Sequence, residues 1–151
     1  MTPFRAPPDY PHWPEVAALI HAAFAYMTPV LGHEAAAMAL TADDLAGAAT
    51  RGAVFLVHDR DRPVACLFTR PSRDFADALY AGWLAVDASQ RGQGLAQALM
   101  RAAEAEALSK GCRALTLDTG RALTRLHALF GHMGFTALPG EGDVVSFRKT
   151  L

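Results

Sequence analysis

From Val16 onward the apolar residues Leu19, Ile20, Ala23, Phe24 and Met27 recur every three or four positions, a continuous stripe that predicts a packed helix over residues 14–27. Pro14 suits its first turn, and Pro29 and Gly32 are expected to end it. Residues 2–6 read as a short first strand, stopped by Pro7 and Pro8. Residues 28–40 form an alanine-rich connector with room for a helical turn in its second half. Thr41-Ala-Asp-Asp44 resembles a capping box and opens a short helix that stops near Gly52. The rhythm then changes to that of strands. Ala53–His58 and Val64–Thr69 flank the turn Asp59–Pro63 and read as an antiparallel hairpin. After a polar loop over Pro71–Asp77, Ala78–Val86 is a third strand. Its Ala81-Gly82 pair marks a bulge or a close approach by another group.

The next helix is expected to begin at Gln90 or Arg91, with Leu95, Ala98, Leu99, Ala102 and Ala103 inward and Gly111 as its C-cap. Cys112–Asp118 is then a strand, so a βαβ unit with parallel strands and a right-handed crossover is predicted. A helix over 121–133 presents Leu123, Leu126, Leu129, Phe130 and Met133, and ends at Gly134. Phe135–Leu138 and Val144–Leu151 are the last strands. The order β-α-α-β-β-β-α-β-α-β-β describes a mixed α/β (α+β) domain, taken as one domain over residues 1–151.

Charge and composition narrow the function classes. A net charge of −1 gives no global attraction to nucleic acid or to an anionic membrane, so any anion site is local. No apolar run reaches membrane-spanning length, and the proline-rich N-terminus does not read as a signal peptide. Cys66 and Cys112 sit in apolar stretches and read as free thiols in a cytoplasmic protein. His127 and His132 lack ligand spacing and a third partner, so no metal site is expected.

Chemistry is concentrated at Arg91-Gly-Gln-Gly-Leu-Ala96, between a strand and a helix. Glycines there let a ligand approach the main chain, and the first helical N–H groups and the helix dipole favour phosphate. A nucleotide P-loop would need Gly-Lys-Ser/Thr, but Leu95 follows Gly94. A dinucleotide fingerprint would need a small residue where Gln97 stands.

The remaining pattern, R-x-x-G-x-A after Leu84-Ala85-Val86, resembles the Q/R-x-x-G-x-G/A acyl-CoA signature of the GNAT superfamily of N-acetyltransferases. Arg5 in a first strand, the Ile20–Phe24 helix, the hairpin, and Gly134-Phe135 after an amphipathic helix follow the family's order, so the resemblance covers nearly the whole chain. It implies a GNAT-like sheet, mostly antiparallel, with a central parallel βαβ unit, splayed strands and flanking helices. It also implies acetyl-CoA as cosubstrate and no metal. The pyrophosphate would rest on the N–H groups of Gln93, Gly94, Leu95 and Ala96, with Arg91 and Gly92 shaping the turn. The pantetheine arm would run along Leu84, Ala85 and Val86, where a backbone N–H polarises the thioester carbonyl. An amine would attack that carbonyl directly, with a base taking a proton and an acid serving the thiolate.

The chain departs from the family at its proton-handling positions. Phe130 stands where many members carry a tyrosine, and is expected to pack in the core or on pantetheine; Leu123 stands near a frequent asparagine. The strand 78–86 carries no Asp or Glu. Candidate catalytic residues are therefore His127, Asp118, Tyr80 and Glu34, each with a structural alternative. His127 would be a core histidine, Asp118 a helix cap, Tyr80 a packed ring, and Glu34, with His33, part of a solvated loop. Tyr26 is a further donor, and Arg121 with Arg125 would meet the ribose phosphate or face water. The acceptor is a small-molecule or peptide amine, and residues 27–41 and 139–143 are its expected walls. No nucleic acid or membrane partner is expected, and a homodimer is left open. The other reading is a degenerate CoA or acyl-CoA sensor without turnover.

Overall fold

The computed structural model describes residues 1–151. Its elements are β1 (Phe4–Arg5), α1 (Trp13–Phe24), α2 (Met27–Leu31), α3 (Ala42–Arg51), β2 (Ala53–Asp59), β3 (Arg62–Pro71), β4 (Ala78–Val86), α4 (Leu95–Ser109), β5 (Ala114–Gly120), α5 (Thr124–His132), β6 (Thr136–Ala137) and β7 (Val144–Thr150), with 3-10 turns at Ala36–Ala39 and Ala88–Gln90. The seven strands form one sheet in the order β1-β2-β3-β4-β5-β7-β6. Every pairing is antiparallel except β4 with β5, the βαβ unit across α4. This is the GNAT-like mixed sheet that the resemblance implied.

Both faces of the sheet are covered, which explains the continuous apolar runs of β2 and β3. One face packs Leu67, Leu79, Leu115 and Leu117 against α4 and α5. The other packs Leu56, Cys66 and Phe68 against α1 and α3. The capping box of α3 is present: Thr41 Oγ1 accepts from the Asp44 N–H at 3.2 Å, and Asp44 accepts from the Thr41 N–H at 2.9 Å. No helix is long and apolar enough to cross a membrane.

Several boundaries differ from the sequence expectation. The predicted helix 14–27 is two helices, and Pro29 lies inside the second, in a first turn where its missing N–H costs no hydrogen bond. Gly32, at φ +81°, ends that short helix. The helix expected from Gln90 or Arg91 begins only at Leu95, because Gly92 and Gly94 take φ of +80° and +75°. The last long helix starts at Thr124 rather than 121, and the strand predicted as Cys112–Asp118 is displaced to Ala114–Gly120.

A bulge in β4 shapes the centre. Cys66 pairs with Ala85 and Phe68 with Gly82, so two steps along β3 face three along β4. Trp83 absorbs the extra residue at φ +53°, stacked on Phe68 with ring centroids 3.8 Å apart, and its carbonyl accepts from the Cys66 thiol at 3.3 Å. Parallel pairing of β4 with β5 covers only Ala78–Tyr80 and Ala114–Thr116. Beyond it β4 stays on β3 while β5 stays on β7 as far as Gly120, so the two central strands part.

Candidate functional site: a cleft between parted strands

The gap between β4 and β5 opens into a cleft of about 910 Å³. Leu84, Ala85 and Val86 form one wall and Leu117–Gly120 the other. Arg91 and Ala96 lie at one end, Phe130 and Leu126 of α5 line its side, and Phe24, Met27 and Leu31 close it from α1 and α2. On an antiparallel strand only alternate residues bond to one neighbour. Past Tyr80 the β5-facing edge of β4 therefore offers backbone N–H and C=O groups with no strand partner.

At Gly92 and Gly94 no heavy atom lies within 4 Å of where a Cβ would stand, so the turn is open above its main chain. Gly94 caps α4 with no side-chain acceptor, and the first intrahelical bond is Ala98 N–H to Gly94 C=O at 3.0 Å. The N–H groups of Leu95, Ala96 and Gln97 precede that bond and remain available. Arg91 is exposed and makes no ion pair. Open backbone, unsatisfied donors and one cation suit the diphosphate of a CoA ester.

The turn is braced from behind by residues that the motif does not include. Asp87 Oδ1 accepts from the Ser89 N–H at 2.9 Å and hydroxyl at 2.8 Å, while Oδ2 accepts from Arg62 at 2.8 Å. Those donors hold the Asp87 carboxyl down at about 2. Gln90 is buried, donates to Asp59 at 3.0 Å and accepts from the Gln93 side chain at 2.9 Å. The Asp-x-Ser spacing at 87–89 was the available signal for this support, because Asp readily bonds the backbone two residues on.

The candidate catalytic residues separate. Tyr80 and Asp118 both line the cleft. Strand alternation puts Tyr80, its register partner Thr116, and Asp118 on one face of the sheet, the face that α1 covers. The Tyr80 hydroxyl makes no hydrogen bond within the protein and no buried side-chain polar atom is left unpaired, so that oxygen reaches open space. Burial, then the nearby Asp118 charge, raise its pKa, so Tyr80 keeps its proton at neutral pH. Asp118 accepts from the Ser146 hydroxyl at 2.8 Å, has no ion-pair partner, and lies inside β5 rather than at a helix cap.

His127 does not line the cleft. Its Nε2 donates to the Gly120 carbonyl at 3.0 Å, and its ring lies edge-on to Phe147. Glu34 is exposed outside the cleft, whereas the neighbouring His33 lines it. Phe130 is buried against Phe135 and Phe147 with one side on the cleft. Leu123 is buried, in the N-cap position of α5. Arg121 precedes that helix and donates to the Gly142 and Gly140 carbonyls at 2.6 and 3.1 Å, clasping the β6–β7 turn. Tyr26 sits at the mouth within reach of the Arg91 and Arg125 charges, which oppose the upward push of burial on its pKa. No group of three or more His, Cys, Asp or Glu side chains is arranged to hold a metal.

Similar architecture recurs in solved structures. An acetyltransferase from Thermus thermophilus superposes with a TM-score of 0.72 at 20% identity, covering 100% of this chain and 98% of that one. The PaiA N-acetyltransferase from Thermoplasma acidophilum, solved in complex with coenzyme A, gives 0.81 at 10% identity with both chains fully covered. A ribosomal-protein-alanine N-acetyltransferase from Brucella melitensis gives 0.73 at 16% identity, again with both chains fully covered. No curated protein matches the chain by sequence. The acetyltransferase (GNAT) family matches residues 14–135, from α1 to just past the last long helix. With that match across most of its length, the chain is an acetyltransferase of the GNAT family.

Proposed function

We propose that the chain transfers the acetyl group to an amine held in the β4–β5 gap, with the donor on the α4 side and the acceptor on the α1–α2 side. The observation that carries this reading is the continuity of the cleft from the open glycine turn to Tyr80 and Asp118. Acetyl-CoA supplies an activated thioester. Gln93, Gly94, Leu95 and Ala96, with Arg91, hold its phosphates. The free edge of β4 from Leu84 to Val86 binds the arm and directs an N–H at the thioester oxygen.

Asp118 receives the proton that the amine sheds as the C–N bond forms. Tyr80 stays protonated and donates toward charge that develops as the C–S bond breaks. Phe130 cannot donate and packs beside the arm. His127 acts through Gly120, whose carbonyl it holds. Free Cys66 and Cys112 suit a reducing compartment such as the cytoplasm.

The test is thermal unfolding followed by a thiol-release assay. At a hundred times its dissociation constant, acetyl-CoA adds about 2.7 kcal/mol and raises the Tm by roughly 5–11 °C. Gly94→Glu places a carboxylate where the phosphates sit and abolishes that rise. An unmoved Tm in the parent protein refutes the donor site. A raised Tm with no amine-dependent thiol release across a broad panel favours the non-catalytic sensor.

A further inference from the structure

The acceptor end of the cleft has a chemical character distinct from the donor end, and it bears on which amine is acetylated. Its walls are apolar: Phe24 from α1, Met27 and Leu31 from α2, and Val144 at the start of β7. Leu31 is pressed onto the tip of β5, where a Cβ added at Gly120 would meet its Cδ2 at 2.6 Å. Val144, 58% exposed, adds an apolar surface at the rim. Two exposed carboxylates, Asp118 and Asp143, line this space, and neither is in an ion pair. Arg121 is held to the β6–β7 turn by two carbonyls, and Arg70 stacks over the Tyr80 ring, 4.1 Å from its centroid.

Carboxylates at the edge of an otherwise apolar chamber select an ammonium group carried on an apolar body. A second ammonium carried along the Phe24, Met27 and Leu31 wall would be desolvated there. A substrate carboxylate would meet the like charges of Asp118 and Asp143. We infer that the preferred acceptor is a primary amine carrying an aryl or alkyl tail and no acid group, its nitrogen on Asp118 and its tail between Met27, Leu31 and Val144. This rests on the acetyltransferase reading.

The experiment compares kcat/KM, by thiol release at saturating acetyl-CoA, for 2-phenylethylamine, hexylamine, phenylalanine and spermidine. The two apolar amines are expected to exceed phenylalanine and spermidine by at least tenfold. Leu31→Lys is expected to lower kcat/KM for 2-phenylethylamine at least tenfold, chiefly through KM. The Tm rise caused by acetyl-CoA should persist in that variant, which shows that it folds and keeps the donor site. Asp118→Asn should depress every amine while retaining the same Tm rise. A preference for spermidine or phenylalanine overturns the acceptor class and leaves the acetyltransferase reading intact. An unchanged 2-phenylethylamine rate in Leu31→Lys also overturns it. Absence of the Tm rise in the parent protein removes the donor site, and failure of every amine removes the acceptor inference together with turnover.

Discussion

Asp87 shows how one residue outside a motif supports it. Its carboxylate collects two donors from Ser89 and one from Arg62, and so fixes the chain just before the glycine turn. The folded carboxyl sits at about 2, below the ordinary value near 3.8. A depressed folded value adds stability that is fully present above the unfolded value and is lost as pH falls through the folded one. The window is therefore from about pH 4 down to about pH 2. Partial exposure screens the interaction, so the contribution is of order 1 kcal/mol rather than the full linkage value. Asp87→Asn is expected to lower stability by about that amount at pH 7, and to converge with the parent near pH 2. Urea unfolding at the two pH values checks it, and a constant difference at both would show that ionisation of Asp87 contributes nothing. Phe130 illustrates the opposite case. It stands where the family resemblance implied a tyrosine, and its ring is built into the aromatic contact with Phe135 and Phe147.

At the scale of elements, the cleft depends on how β4 is held on β3. The bulge at Trp83 needs a small neighbour, because a Cβ at Gly82 would stand 2.6 Å from a Phe68 ring carbon. The junction of α3 and β2 is tighter still. A Cβ added at Gly52 would fall 2.1 Å from the Thr69 carbonyl oxygen, a backbone atom in β3 that cannot rotate away. Gly52 is there for close approach and not for its dihedral angles, since its φ is −147°. Gly52→Ala is expected to cost about 3 kcal/mol or more, the upper range for overpacking, because the strand itself has to shift. A urea midpoint within experimental error of the parent's would disprove the steric argument. The split between α1 and α2 matters equally, since it turns Met27 and Leu31 over the end of the cleft.

For the whole molecule, two cores on opposite faces of one sheet keep the central strands apart beyond Tyr80. α4 and α5 anchor one face and α1 and α3 the other, so neither strand can swing to close the gap without unpacking a face. Cys66 reports on that integrity. Its thiol is buried beneath α1, bonded to the Trp83 carbonyl, and pushed up to about 12 by burial. Cys112 is partly exposed. An aromatic disulfide reagent at neutral pH should therefore label at most Cys112 in the folded protein, and both thiols in denaturant. Native-state labelling of Cys66, read by peptide mass, would mean that the bulge opens readily.

Local pattern carried the element types, because apolar spacing, caps and glycines act over a few residues. The α1 stripe, the Thr41–Asp44 capping box, the hairpin of β2 and β3, and the βαβ unit across α4 were all legible that way. Helix starts were less so, since a glycine pair in a left-handed conformation and a proline in a first turn shift a boundary without disturbing the apolar period. What only the tertiary structure decided is convergence. It set Tyr80 beside Asp118 across two strands, turned His127 onto Gly120, and left Glu34 outside the cleft. Those positions follow from the Trp83 bulge and from the packing of α2 on β5, contacts between residues far apart in the chain that no short-range spacing encodes.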